Sequence, residues 1–257
     1  MVERGLAESP ERAKSIIMSG NVFIAGQRAE KPGMQVEIEA EIEIRPDRPY
    51  VSRGGQKLEK ALNYFNVSPE GKVCIDCGAS TGGFTECLLN RGASLVYAID
   101  VGYGQLAWKI RNDPRVVTME RTNIRHVTSD MIESKPEIAV IDLSFISLSL
   151  VLPVVRKLLD ENGEALCLIK PQFEADRGSI GNKGVVRDPM IHSRVLEAFI
   201  QNAVNSGFCA KGITYSPIKG PEGNIEYLGR LCCRGESETI DISAAVSESH
   251  RVLNNEF

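Results

Sequence analysis

The sequence predicts an α/β protein with a mainly parallel sheet, preceded by a small α+β unit. Three observations carry this expectation. From residue 50 onward, apolar strand-like runs at 73–77, 95–99, 115–119, 138–142 and 164–169 alternate with helical stretches. That alternation is the pattern of a parallel sheet with right-handed crossovers. Two later runs, 208–215 and 226–233, read as a closing antiparallel pair and bring the sheet to seven strands. Finally, the first run ends in Asp76 and breaks into the glycine turn Gly78-Ala-Ser-Thr-Gly82-Gly83 before a helix from Phe84. Ligands of such sheets lie where a strand turns into a helix at the carboxyl edge.

In chain order, residues 1–45 form the first unit. Arg4-Gly-Leu-Ala reads as a helical turn. Ser9 is a good N-cap, with Pro10 at the first helical position, and the helix 11–18 should stop at Gly20. Residues 21–27 alternate into a turn, and Val36–Ile44 alternates with strict period two, which predicts one long strand. Residues 46–50, with Pro46 and Pro49, predict a stiff linker. The second domain spans 51–257, with a helix at 56–65 ahead of its first strand and another near 242–253.

Composition narrows the class. Hydrophobic content of 42% and charged content of 25% are those of an ordinary globular protein. No apolar run approaches the roughly 20 residues of a spanning helix, and charges follow Met1 at once, so a cytoplasmic location and no membrane partner are expected. Seven cysteines fit no disulfide framework. Cys74 and Cys77 are spaced like half a zinc site but have no matching second pair, so buried thiols and no metal are expected. A formal net charge of −4 counts mildly against a nucleic-acid partner, although a basic face can coexist with an acidic back.

The turn chemistry points to a nucleoside cofactor. A dinucleotide fingerprint crowds glycines around a pyrophosphate. Here the order is Asp76-x-Gly78-x-x-x-Gly82, with a carboxylate just before the first glycine. Asp76 would repel a pyrophosphate but suits an ammonium and a sulfonium, so S-adenosylmethionine is expected rather than NAD. The next strand ends in Asp100, placed to hold the two hydroxyls of a ribose.

Further charged residues stand where strands meet that edge. Asp142 closes the fourth run, Lys170 closes the fifth, Glu226 opens the last, and Lys57 lies on the entering helix. A lysine ending an apolar strand needs a partner, and a structural ion pair between Lys170 and Asp142 is the plainer account. Ser52-Arg-Gly-Gly-Gln-Lys57, Ile-Asp142-Leu-Ser-Phe, Ile-Lys170-Pro-Gln-Phe and Gly-Asn-Ile-Glu226-Tyr resemble the motifs of FtsJ-like ribose 2′-O-methyltransferases. They resemble more closely the TlyA-type ribosomal RNA methyltransferases, historically labelled haemolysins. The resemblance covers nearly the whole chain and implies a Rossmann-like methyltransferase domain. It also implies a catalytic Lys-Asp-Lys-Glu tetrad at Lys57, Asp142, Lys170 and Glu226. By the same resemblance Asp76, Gly78 and Gly82 contact the methionine end of S-adenosylmethionine, Asp100 the ribose, and Asn123 the adenine edge. Lys170 would help remove or stabilise the proton of a ribose hydroxyl, with Asp142 and Glu226 orienting the lysines.

Residues 1–45 resemble the small RNA-binding domain shared by a small-subunit ribosomal protein and pseudouridine synthases. Members usually begin several residues earlier, so this copy is expected to be truncated at its start. Residues 1–48 hold seven basic and nine acidic side chains, so RNA binding needs Arg4, Arg12, Lys14 and Arg28 on one face. Arg53, Arg177, Lys183 and Arg187 are candidate phosphate contacts near the active site. The implied substrate is ribosomal RNA within ribosomal subunits, methylated on cytidine. Three alternatives are set aside on the residues. Base-amine methylation needs prolines that Asp142-Leu-Ser-Phe145 lacks. Membrane lysis finds no spanning segment, and a non-catalytic assembly factor would not need the full tetrad.

Overall fold

A computed structural model describes the chain except for residues 19–21, 30, 38, 45–49, 182–183 and 255–257 and the side chains of residues 15, 28 and 177. It divides into two compact units, Met1–Pro49 and Tyr50–Phe257. The expected helix stop at Gly20 and all of the expected linker but Tyr50 lie outside the described residues.

In the first unit, helix α1 (Pro10–Met18) starts where the Ser9 hydroxyl accepts the Arg12 N–H at 3.1 Å. Strands β1 (Val22–Ile24) and β2 (Gln27–Arg28) form a hairpin through Ala25 and Gly26, both at positive φ as a tight two-residue turn demands. Strand β3 (Ile42–Ile44) pairs antiparallel with the other side of β1. The long strand expected over 36–44 is therefore confined to its last three residues. Alternation makes a segment able to pair, but β1 offers only three partners.

The second unit opens with α2 (Gly54–Tyr64), followed by β4 (Val73–Cys77), α3 (Gly83–Asn90), β5 (Leu95–Ile99), the short α4 (Trp108–Arg111), β6 (Val116–Met119) and β7 (Ile138–Ile141). Next come α5 (Leu152–Leu158), β8 (Glu164–Ile169), the single turn α6 (Pro171–Glu174), α7 (Pro189–Asn205), β9 (Cys209–Tyr215), β10 (Tyr227–Cys232) and α8 (Ile242–Asn254). The seven-stranded sheet runs β6-β5-β4-β7-β8-β10-β9. Its first five strands are parallel, and β10 pairs antiparallel with both β8 and β9.

The strands are apolar throughout because both faces are covered. Ile75, Tyr97 and Ile141 pack on one side with Leu152 and Leu196 from α5 and α7. Val140 and Leu168 pack on the other with Leu58 and Leu62 of α2 and Leu88 of α3. Because β4 has β5 on one side and β7 on the other, the winding reverses at β4. The crevice at the carboxyl ends of β4, β5 and β7 is the topological switch point, where such sheets bind ligands.

Candidate active site

A cavity of about 740 Å³ opens at that switch point, with Gly78, Ser80, Asp100, Asn123, Asp142 and Phe145 among its lining residues. Its floor depends on close backbone approach. Gly78 sits at φ +96°, and a Cβ there would stand 2.3 Å from the carbonyl oxygen of Asp142. Only glycine lets the turns after β4 and β7 meet.

Asp100 is held before any ligand arrives. One carboxylate oxygen accepts the Ser80 N–H at 2.8 Å and the other the Gly102 N–H at 2.7 Å. Each oxygen keeps acceptor capacity for a hydroxyl, so the group is a fixed acceptor suited to a ribose diol. The Asn123 side chain accepts the Arg125 N–H at 3.1 Å and caps the turn Ile124–His126. It is thus engaged as a turn residue while its loop lines the cavity.

Asp76 and Gly82, expected at the cofactor, are not among the residues that line the cavity. Asp76 points to the α3 side of β4 and is fully buried. One oxygen accepts the Thr85 hydroxyl at 2.6 Å, and the other has no partner. Burial, reinforced by the charges of Asp142 and Asp100 and opposed by the Thr85 hydrogen bond, pushes its pKa up to about 7. Gly82 immediately precedes α3 at φ +97°, and a Cβ there would press on Leu106 and Ile110 at 3.0 and 3.3 Å. Its lack of a side chain serves the packing of the segment leading into α4.

The four tetrad residues arrive from separate elements and form two ion pairs at the same sheet edge. Lys57 lies on the buried face of α2 and pairs with Glu226 at 2.5 Å. Lys170, the first residue after β8, pairs with Asp142, the first after β7, at 2.6 Å and donates to the Ser144 hydroxyl at 3.1 Å. Glu226 immediately precedes β10, where Tyr227 stands opposite Ile169, so the antiparallel register brings Glu226 beside Lys170. Gly220 leaves room for this carboxylate: a Cβ there would lie 2.6 Å from Glu226 Oε1. Lys57, Lys170 and Glu226 are 7%, 9% and 1% exposed. Burying two ammonium groups is tolerable only because each meets a carboxylate.

Sequence reasoning missed Ser144, Ser80, Phe145 and Glu174. Phe145 is 90% exposed, adopts φ +64°, and lies 5.0 Å from the Phe173 ring, centroid to centroid. Glu174 holds the loop carrying Phe145 by accepting the Ser147 hydroxyl at 2.7 Å and the Leu148 N–H at 2.8 Å. A Leu-Ser-Phe string carries no sign of this; only the location of Asp142 could have drawn attention to its followers.

Among the candidate RNA contacts, Arg53 at the start of α2 and Arg187 are exposed. Lys183 and the Arg177 side chain lie outside the described residues. Arg4 is exposed and donates to the Ala40 carbonyl at 2.6 Å. Arg12 and Lys14 are exposed on α1 but two residues apart, roughly 200° around the axis, so they do not share the single face expected of them. The Arg28 side chain is outside the described residues.

Sheet order, glycine turn and cavity together define a Rossmann-like methyltransferase domain. Residues 50–232 match the FtsJ-like methyltransferase family and residues 1–42 the S4 domain, so the chain belongs to the FtsJ-like methyltransferases. It is 46% identical to the 16S/23S rRNA (cytidine-2′-O)-methyltransferase TlyA of Mycobacterium tuberculosis, over 89% of this chain and 86% of that one. A YqxC-designated protein of Bacillus subtilis is 50% identical over 98% of this chain and 93% of its own. A solved Streptococcus thermophilus structure carrying a hemolysin designation superposes with TM-score 0.78 at 46% identity, covering 98% of this chain and 94% of that one. Among the described residues no helix is long and apolar enough to cross a membrane.

Proposed function

We propose that the chain transfers a methyl group from S-adenosylmethionine to a ribose 2′-hydroxyl of ribosomal RNA, on a cytidine. The observation carrying this reading is the pair of lysine–carboxylate contacts buried at the carboxyl edge beside a nucleoside-sized cavity. It is supported by the similarity to TlyA.

The residues present fit the cofactor. The cavity has the volume of a small-molecule site, and Asp100 offers a preset acceptor pair. Gly78 keeps the floor free of side chains. When bound, S-adenosylmethionine supplies an electrophilic methyl on a positively charged sulfur.

The chain's own residues do the rest. Lys170, held by Asp142 and Ser144, takes the proton that the ribose hydroxyl loses as its oxygen attacks, entering as the amine and leaving as an ammonium that Asp142 stabilises. Lys57, held by Glu226, adds a second positive charge at the same edge for that oxygen or for a neighbouring phosphate. The carboxylates fix both lysines, which makes orientation their principal task. Phe145 supplies an exposed face on which a base taken out of its stack can rest. Cytoplasmic ribosomal subunits are the partner under this reading, with exposed Arg53 and Arg187 available for phosphates.

The test is transfer of radiolabelled methyl to ribosomal subunits lacking the modification, with Lys170→Ala alongside. Label recovered as an alkali-resistant dinucleotide and absent in the variant is the expected result. Alkali-labile label would assign the methyl to a base, and absence of cofactor binding would remove the methyltransferase reading altogether.

A further inference from the structure

One residue outside the tetrad, Val186, has its backbone held from both sides of Glu226. Val186 is buried; its N–H donates to Asn224 Oδ1 at 2.9 Å, and its carbonyl meets His192 Nε2 at 3.0 Å. Asn224 Nδ2 also donates to the Gly184 carbonyl at 3.0 Å. Because a carbonyl only accepts, His192 carries its proton on Nε2, leaving Nδ1 as acceptor. The Tyr227 hydroxyl stands 2.8 Å from that Nδ1.

Asn224 is two residues before Glu226 and Tyr227 one after it. Asn224, His192 and Tyr227 are 2%, 0% and 0% exposed, so these contacts are shielded from water. The turn before Glu226 is closed by the Gly220 N–H donating to the Asn224 carbonyl at 2.9 Å, and Gly220 itself borders the Glu226 carboxylate. On the other side, Val186 is followed directly by the exposed Arg187.

Resting on the function proposed above, we infer that Asn224 is a positioning residue that locks the 184–187 segment, with its phosphate-facing Arg187, to the strand start carrying Glu226. The segment and the Lys57–Glu226 pair then move as one body, so contact with the RNA backbone and alignment of the tetrad are set together. His192 and Tyr227 form the second arm of the same clamp. None of Asn224, His192 and Tyr227 lines the cavity, so cofactor affinity is expected to be unaffected by the clamp.

The experiment compares wild type, Asn224→Ala, Asn224→Asp and Tyr227→Phe by single-turnover methyl transfer, cofactor affinity and site-resolved amide hydrogen exchange. Asn224→Ala is expected to speed exchange at 184–187 and at 220–227 together. Transfer at saturating RNA should fall about 10- to 100-fold with cofactor affinity unchanged. Asn224→Asp, which keeps the acceptor for the Val186 N–H, should recover part of the rate, and Tyr227→Phe should shift both readouts in the same direction by less. Faster exchange in only one of the two segments would overturn the inference. So would a rate loss that merely follows a lower melting temperature and weaker cofactor binding. Should Asn224→Ala not fold, the other two variants carry the same comparison. A wild type that transfers no methyl would defeat the proposed function instead, while the exchange data still decide whether the two segments are coupled.

Discussion

Three neighbouring strands reach the same edge of the sheet with an aspartate, yet the closed end of β4 and the open ends of β5 and β7 treat it in opposite ways. Asp76 turns toward α3, loses all contact with water, and keeps one oxygen unpartnered. Asp100 and Asp142 emerge at the cavity, one fixed by two backbone N–H groups and the other by an ammonium. Strand-end position alone therefore does not assign a role. The group that faces each carboxylate does: a single hydroxyl on one oxygen of Asp76, two backbone N–H groups at Asp100, a lysine at Asp142.

The largest effect should come from the open end of β7. Lys170→Ala leaves Asp142 without its cation and removes the group proposed to act on the ribose hydroxyl. Methyl transfer is expected to fall by about 10²–10³-fold or more while cofactor binding, measured by calorimetry, persists. An unchanged rate would reduce the Lys170–Asp142 contact to the structural ion pair that the sequence also allowed. At the end of β5, Asp100→Ala should act on the other parameter. It removes the preset acceptors, so cofactor affinity should drop by about 10- to 100-fold, with the rate at saturating cofactor little altered. If both variants changed the same parameter, the division of labour between the two open ends would be wrong.

The closed end predicts a pH signature. The folded-state pKa of Asp76 is raised from 3.8 to about 7, so its contribution to stability is fully present below pH 3.8 and lost as pH rises through about 7. Burial lowers that of His192 from 6.5 to about 4, with the opposite sign: its contribution is present above pH 6.5 and lost as pH falls through about 4. The two slopes oppose each other over the same window. Asp76→Asn keeps an acceptor for Thr85 and removes the first slope. Thermal unfolding should then show the variant gaining on wild type as pH rises from about 4 to about 8, and losing stability more steeply than wild type on acidification. Parallel curves for the two proteins would mean that Asp76 is not held against its charge.

Legibility in the sequence followed the same divide. The five parallel strands and the closing pair were readable because buried strands are continuous apolar runs, and their ends fixed the positions of Asp100, Asp142, Lys170 and Glu226. Facing direction was not readable. One residue of alternation sends Asp76 to the α3 face while Cys77 joins the opposite cluster, and that parity depends on how α3 packs. Pairing length was hidden for a similar reason, since the alternation of 36–44 says nothing of how short β1 is. Asn224 shows the limit most clearly: its partners are 38 and 40 residues away, at Val186 and Gly184.

The smallest effect expected is at Phe145, on the open end of β7, and it separates stability from function. A non-glycine residue at φ +64° carries backbone strain of about 1 kcal/mol or somewhat more, and a ring 90% exposed recovers little of it through burial. Glu174 and Phe173 hold the loop in this shape from α6, directly behind Lys170. Phe145→Gly should therefore raise the melting temperature by a few degrees. It should also weaken productive RNA binding by about 10-fold, through loss of the stacking face, with cofactor affinity unchanged. Phe145→Ala keeps the strain and loses the face, so it should weaken RNA binding equally without the gain in stability. If both variants methylate RNA as well as wild type does, the exposed ring is not a base platform, and the strain at this open end would serve some other contact of the 144–148 loop.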